Sequence, residues 1–165
     1  MNKEQFESAK NKIIGIKRNR NGIGTLSEKT VHAILKNYYE PDEDYHEIPV
    51  NGYVADIYRD GNIIEIQTAN FNKLRNKLDV FLNDYHVTVV YPMPYIKWLS
   101  WLDEETGYIG PKRKSPKKGN PYEAFYQLYK IKSYLTNPNI RIKIVMMNME
   151  EIRLLNGWSK DKKKG

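Results

Sequence analysis

Apolar residues change their spacing several times along the chain, and each change marks an element. Residues 3–20 repeat at helical spacing along a thin seam of Phe6, Ala9, Ile13 and Ile16, which predicts a mostly polar helix. Asn21-Gly22-Ile23-Gly24 breaks it, because glycine ends helices at little steric cost. Thr25 with Glu28 three positions on has the form of a capping box. A second helix is predicted from there, with a stripe of Val31, Ile34, Leu35 and Tyr38, ending before Pro41.

The spacing then drops to two. Residues 46–50, 53–59 and 62–68 read as three strands joined by Asn51-Gly52 and Asp60-Gly61, dipeptides suited to two-residue hairpin turns. A helix over 72–83 follows, with Leu74, Leu78, Phe81 and Leu82 inward. The β-branched run 86–91 predicts a buried strand that Pro92 and Pro94 should end. Beyond it the pattern predicts a hairpin around residues 104–107, with Trp98 and Trp101 in its packing. A basic loop, a helix over 122–135, a strand over 141–147 and a short helix over 149–155 complete the chain. The order is that of an α/β domain on a mixed sheet flanked by helices. At 165 residues one domain is expected, over 1–159, with a basic disordered tail at 160–165.

Hairpin geometry turns this order into chemistry. A two-residue Asp60-Gly61 turn pairs Ile57 with Ile64 and brings Asp56 opposite Glu65. Alternation puts Asp56, Glu65 and Gln67 on one face, with Ala55, Ile57, Ile64 and Ile66 on the other. The Asn51-Gly52 turn adds Glu47 opposite Asp56. Carboxylates about 4 Å apart repel by roughly 4 kcal/mol at an effective dielectric near 20. A nearby Lys or Arg, a raised pKa or a hard divalent cation would relieve that repulsion, and all-oxygen donors suit Mg²⁺ or Mn²⁺.

Composition narrows the field. The chain has no cysteine, which excludes disulfides, thiolate zinc sites and cysteine nucleophiles and fits a reducing, cytoplasmic setting. No apolar run is long enough for a membrane span, and the N-terminal residues have no signal-peptide core. The net charge of +7 favours a polyanionic partner. Lys112, Arg113, Lys114, Lys117 and Lys118 form the basic run with the most cations and are the expected backbone-phosphate contacts. His32, His46 and His86 have no metal-ligand spacing, and no P-loop or Ser-His-Asp order is present.

The order helix, strand, strand with Asp56, strand with Glu65-Ile66-Gln67, helix, strand resembles the restriction-endonuclease-like PD-(D/E)xK nucleases over residues 25–91. The resemblance implies an αβββαβ core with C-terminal additions, and Mg²⁺- or Mn²⁺-dependent phosphodiester hydrolysis, with DNA the expected polymer. It implies metal binding by Asp56, Glu65 and the carbonyl of Ile66, and a helix glutamate, matched here by Glu28, which also suits a cap. Two positions depart from the pattern. Ala55 stands where the family has Pro, and Gln67 stands where its water-orienting Lys is usual, with Lys73 or Lys77 as the replacement cation. Two other readings stay open: a nucleic-acid-binding protein on the same scaffold without turnover, and an accessory protein whose carboxylates tune a protein interface. A homodimer would suit double-strand cutting.

Overall fold

A computed structural model describes residues 2–15, 23–103 and 105–155; side chains are described at 2–14, 29–103 and 105–155. The molecule is mixed α/β, a mixed sheet flanked by helices. Helix α1 spans Lys3–Gly15 and α2 spans Ile23–Tyr39; strands β1 (His46–Val50), β2 (Tyr53–Arg59) and β3 (Asn62–Ile66) follow. A 3₁₀ turn at Phe71–Leu74 leads into α3 (Arg75–Asp84). Then come β4 (His86–Leu102), β5 (Arg113–Lys118), a helical segment containing α4 (Phe125–Leu128), and β6 (Ile140–Leu154).

Both hairpin turns take the conformation their dipeptides favour, with φ of +46° and +85° at Asn51 and Gly52 and +47° and +75° at Asp60 and Gly61. Their registers follow: Val50 faces Tyr53, Arg59 faces Asn62, and Ile57 faces Ile64. β3 then runs parallel to β4, with α3 in the crossover. One face of the sheet buries Ile63, Val87 and Val89 with Phe71, Leu74, Leu78 and Phe81. The other buries Ile66, Val90 and Val145 with Leu35 of α2. Ala55 packs in the first of these clusters, not with Ile64 and Ile66 as strict alternation predicts, so Asp56 is met from the α2 face by His32 and Glu65 from the α3 face by Lys77, not both from one face.

Several boundaries differ from the pattern's expectation. α2 opens at Ile23, so Thr25 lies inside it and not ahead of it; the side chains of Thr25 and Glu28 lie outside the described residues. Ile16, Glu104 and the tail 160–165 also lie outside them. β3 stops at Ile66, leaving Gln67 just past its end.

β4 runs through Pro92 and Pro94 instead of ending there. His86 donates to Gly61 on the β3 side, whereas Val87 donates to Asn139 on the β6 side. Alternation therefore points the nitrogens of 92 and 94 to the β3 side. There β3 pairing has stopped at Val90 and β5 pairing starts only at Ile96, so no ladder bond is lost.

The basic run is a strand rather than a loop. β5 pairs with β4 through a bulge containing Pro116. Residues 149–154, expected to be helical, continue β6 because β4 offers a partner as far as Leu102. The helix expected over 122–135 is a chain of short helical turns with a kink at Ile131. Among the described residues, a single bridge, Leu102 to Ile109, closes the predicted 104–107 hairpin.

The junction after β5 depends on one glycine. A Cβ on Gly119 would lie 1.7 Å from the carbonyl oxygen of Pro94, and Gly119 donates to the Tyr95 carbonyl at 2.9 Å. Gly119→Ala should destabilise the fold by at least the ~1–3 kcal/mol typical of overpacking, read as a lowered thermal midpoint by circular dichroism. An unchanged midpoint would mean the β4–β5 junction is loose.

Candidate active site

The β2–β3 ladder ends at Ile57 and Ile64, and side chains take over its bonds immediately beyond. The Ile66 N–H donates to Asp56 Oδ2 at 2.7 Å, and the Asp56 N–H donates to Glu65 Oε1 at 3.3 Å. Each carboxylate is thus fixed on the other strand's backbone, and the two acids meet where the strands part.

The helices reach this opening from both sides. From α3, Lys77 Nζ donates to Glu65 Oε2 at 2.7 Å. From α2, His32 Nε2 lies 3.1 Å from Asp56 Oδ2. One turn along α2, the buried Lys36 donates to Glu47 Oε1 at 2.6 Å. Glu47 lies across from Asp56 in the β1–β2 register and has φ of +53°, a conformation uncommon for a side chain of its kind. Three carboxylates therefore face two ammonium groups and an imidazole.

Burial decides how that charge is felt. Glu65 is 2% exposed. Its carboxyl is pushed up to about 7, first by burial and then by the charge of Asp56, which outweigh Lys77 and the Asp56 N–H. Asp56 is also raised by burial, but His32, the Ile66 N–H and Lys77 together outweigh this and leave it lowered. Glu47 is lowered by its bond to Lys36. The site opens to solvent beside Asp56, Lys77 and His32, whose side chains are 18%, 25% and 30% exposed.

The structure thus brings together Asp56, Glu65 and Ile66. Gln67 lies next to them, but its side-chain amide donates to the Ala69 carbonyl while its backbone N–H donates to Val90. Of the two lysines considered on the helix after β3, Lys77 reaches Glu65 and Lys73 is exposed. Glu28 sits in α2 one turn ahead of His32. The basic run is remote from the carboxylates in sequence and partly engaged: Lys112 pairs with Glu150 at 2.7 Å and Lys117 with Glu123 at 3.5 Å. Lys118 lies 4.6 Å from the Tyr95 ring centroid, and Arg113 and Lys114 are exposed. A cavity of about 270 Å³ beside the β5 bulge is walled by Tyr95, Lys114 and Lys118, and no carboxylate lines it.

His32 and Lys36 were not anticipated as site residues. Their signal in the sequence is the i, i+4 spacing, which puts both on one face of α2.

Residues 29–165 match the family described as a domain of unknown function, DUF8091. The chain belongs to this family. The DUF8091 match begins inside α2, one residue after Glu28, and takes in His32, Asp56, Glu65 and Lys77. An uncharacterized protein of Treponema pallidum (strain Nichols) is 30% identical over 133 residues, covering 80% of this chain and 53% of that protein. The chain thus spans about half the length of this relative. No solved structure matches the chain. Among the described residues, no helix is long and apolar enough to cross a membrane.

Among the described residues, no group of three or more His, Cys, Asp and Glu side chains is arranged to hold a metal. An ion at the opening would need backbone oxygen beside Asp56 and Glu65, and the Ile66 carbonyl is the one the sequence resemblance nominates. The donor set would be all oxygen, which suits Mg²⁺ or Mn²⁺. Glu65 remains raised even with Lys77 at 2.7 Å, because burial first and the charge of Asp56 second disfavour its ionised form.

Proposed function

We propose that this chain is a metal-dependent phosphodiesterase acting on nucleic acid, with DNA the expected polymer, built on a restriction-endonuclease-like PD-(D/E)xK core. The observation that carries this reading is the convergence of Asp56 and Glu65 at one opening in the β2–β3 ladder, with Lys77 on Glu65. The order α2-β1-β2-β3-α3-β4, with β3 and β4 parallel, supports it.

Asp56, Glu65 and the Ile66 carbonyl would hold Mg²⁺ or Mn²⁺. Such an ion supplies charge neutralisation at a scissile phosphate and acidification of a water. Lys77 places a positive charge beside the same carboxylates, in the role that a lysine at position 67 would have in the family pattern. Gln67 retains an amide oxygen that can accept from a water. His32 fixes the orientation of Asp56. The exposed cations of β5 would contact backbone phosphates.

The expected result is nicking of supercoiled plasmid in Mg²⁺ or Mn²⁺, abolished by EDTA, by Asp56→Ala and by Glu65→Ala. A second reading has its own observation. The Lys77–Glu65 and His32–Asp56 contacts also give each acid a side-chain partner without a metal ion, as a binding protein without turnover would. DNA binding by the wild type with no nicking in either metal would favour that reading.

A further inference from the structure

The segment between β5 and β6 carries two stripes at helical spacing. Ala124, Leu128 and Ile131 form one and are buried in the core. Tyr122, Phe125, Tyr126 and Tyr129 form the other, at i, i+3, i+4 and i+7, and they are 73%, 64%, 80% and 69% exposed. Four large rings in one exposed row form an apolar surface of the kind that marks a binding site, unlike scattered apolar residues.

Geometry and charge indicate the occupant. The Tyr122 and Phe125 rings lie nearly parallel, 8° apart, with centroids at 6.4 Å. Lys132 sits 4.7 Å over the Tyr129 ring, and Lys130 is held by Gln127 at 2.9 Å. Lys117 of β5 reaches the same segment at Glu123. Flat rings bordered by ammonium groups match a polymer of flat bases on an anionic backbone. We propose that this stripe is a stacking platform for single-stranded nucleic acid, taking unpaired bases on the rings and phosphates on Lys130 and Lys132.

The platform is tied to the turn ahead of α3. Gln127 Oε1 also accepts from the Phe71 N–H at 3.3 Å, in the turn leading into α3, which carries Lys77. On the nuclease reading above, which this part of the inference rests on, the substrate is a strand with unpaired bases.

The test measures fluorescence anisotropy of a labelled thymidine oligonucleotide and of a duplex, both in EDTA. Phe125→Ala and Tyr126→Ala should each weaken oligonucleotide binding about 10-fold while changing duplex binding less than twofold. Lys132→Ala should reduce the salt slope by about 1. The rings are exposed, so thermal midpoints should match the wild type. The platform is overturned if Tyr126→Ala leaves oligonucleotide affinity unchanged, including the case in which it abolishes self-association in sedimentation. Asp56→Ala separates the two claims. Ring-dependent oligonucleotide binding by a wild type that cleaves neither plasmid nor the oligonucleotide in Mg²⁺ or Mn²⁺ supports the platform and removes the nuclease. Asp56-dependent nicking without ring-dependent binding does the reverse.

Discussion

Lys77→Met is expected to slow phosphodiester cleavage by about two to three orders of magnitude, the scale seen when one preorganised electrostatic contact is removed. Lys77 is the only cation among the described residues that bonds Glu65 directly, so no described neighbour can take over its charge there. Metal affinity should move the other way. The ammonium competes with a divalent ion for the same carboxylate, and its removal should preserve or tighten Mn²⁺ binding in calorimetry. A second substitution sharpens the claim. Gln67→Lys restores a lysine at the position where the PD-(D/E)xK pattern has one. Combined with Lys77→Met, it should recover part of the lost rate in the plasmid assay. An unaltered rate in Lys77→Met would leave Lys77 with only the task of pairing a buried acid.

How much of this arrangement could be read beforehand depended on whether local chemistry or partner strands decided it. Asn51-Gly52 and Asp60-Gly61 set their own geometry, so the β1–β2 and β2–β3 registers that lead up to the acids followed from four residues. The stripe Leu74, Leu78, Phe81 and Leu82 was equally legible, and all four are buried. Pro92 and Pro94 misled because a proline is incompatible with a strand only where its nitrogen faces a partner, and β3 and β5 leave that edge free. Residues 149–154 combine Met, Glu and Leu, which favour a helix in isolation. The long edge of β4 overrode that preference. The charge partners of the acids were least legible. Lys77 could be named because it follows β3 by one short turn and a helix, whereas His32 and Lys36 meet their acids only once α2 has docked. The widening beyond Ile57 was also hidden, since it depends on Asp56 and Glu65 bonding backbone in place of the ladder.

The buried Glu65 carboxyl makes stability depend on pH and metal in opposite senses. The Glu65 carboxyl is raised from its ordinary 4.5 to about 7 in the folded chain, by burial first and Asp56 second. The folded state therefore holds a proton that the unfolded state has lost, and stability falls as pH rises from about 4.5 to about 7. Glu65→Gln removes that term. In EDTA at pH 8 the variant should melt above the wild type, by up to 5–10 °C for a term on the order of 3 kcal/mol, and the two should converge near pH 5. Saturating Mg²⁺ should reverse the order. An ion bound only by the folded wild type adds about 2.7 kcal/mol at a hundred times its dissociation constant, and the neutral amide forfeits most of this. Thermal melts of both proteins across pH, with and without Mg²⁺, would check the crossing. If Glu65→Gln melts below the wild type in EDTA at pH 8, Lys77 alone satisfies the carboxylate and the opening has no unmet charge for an ion to answer.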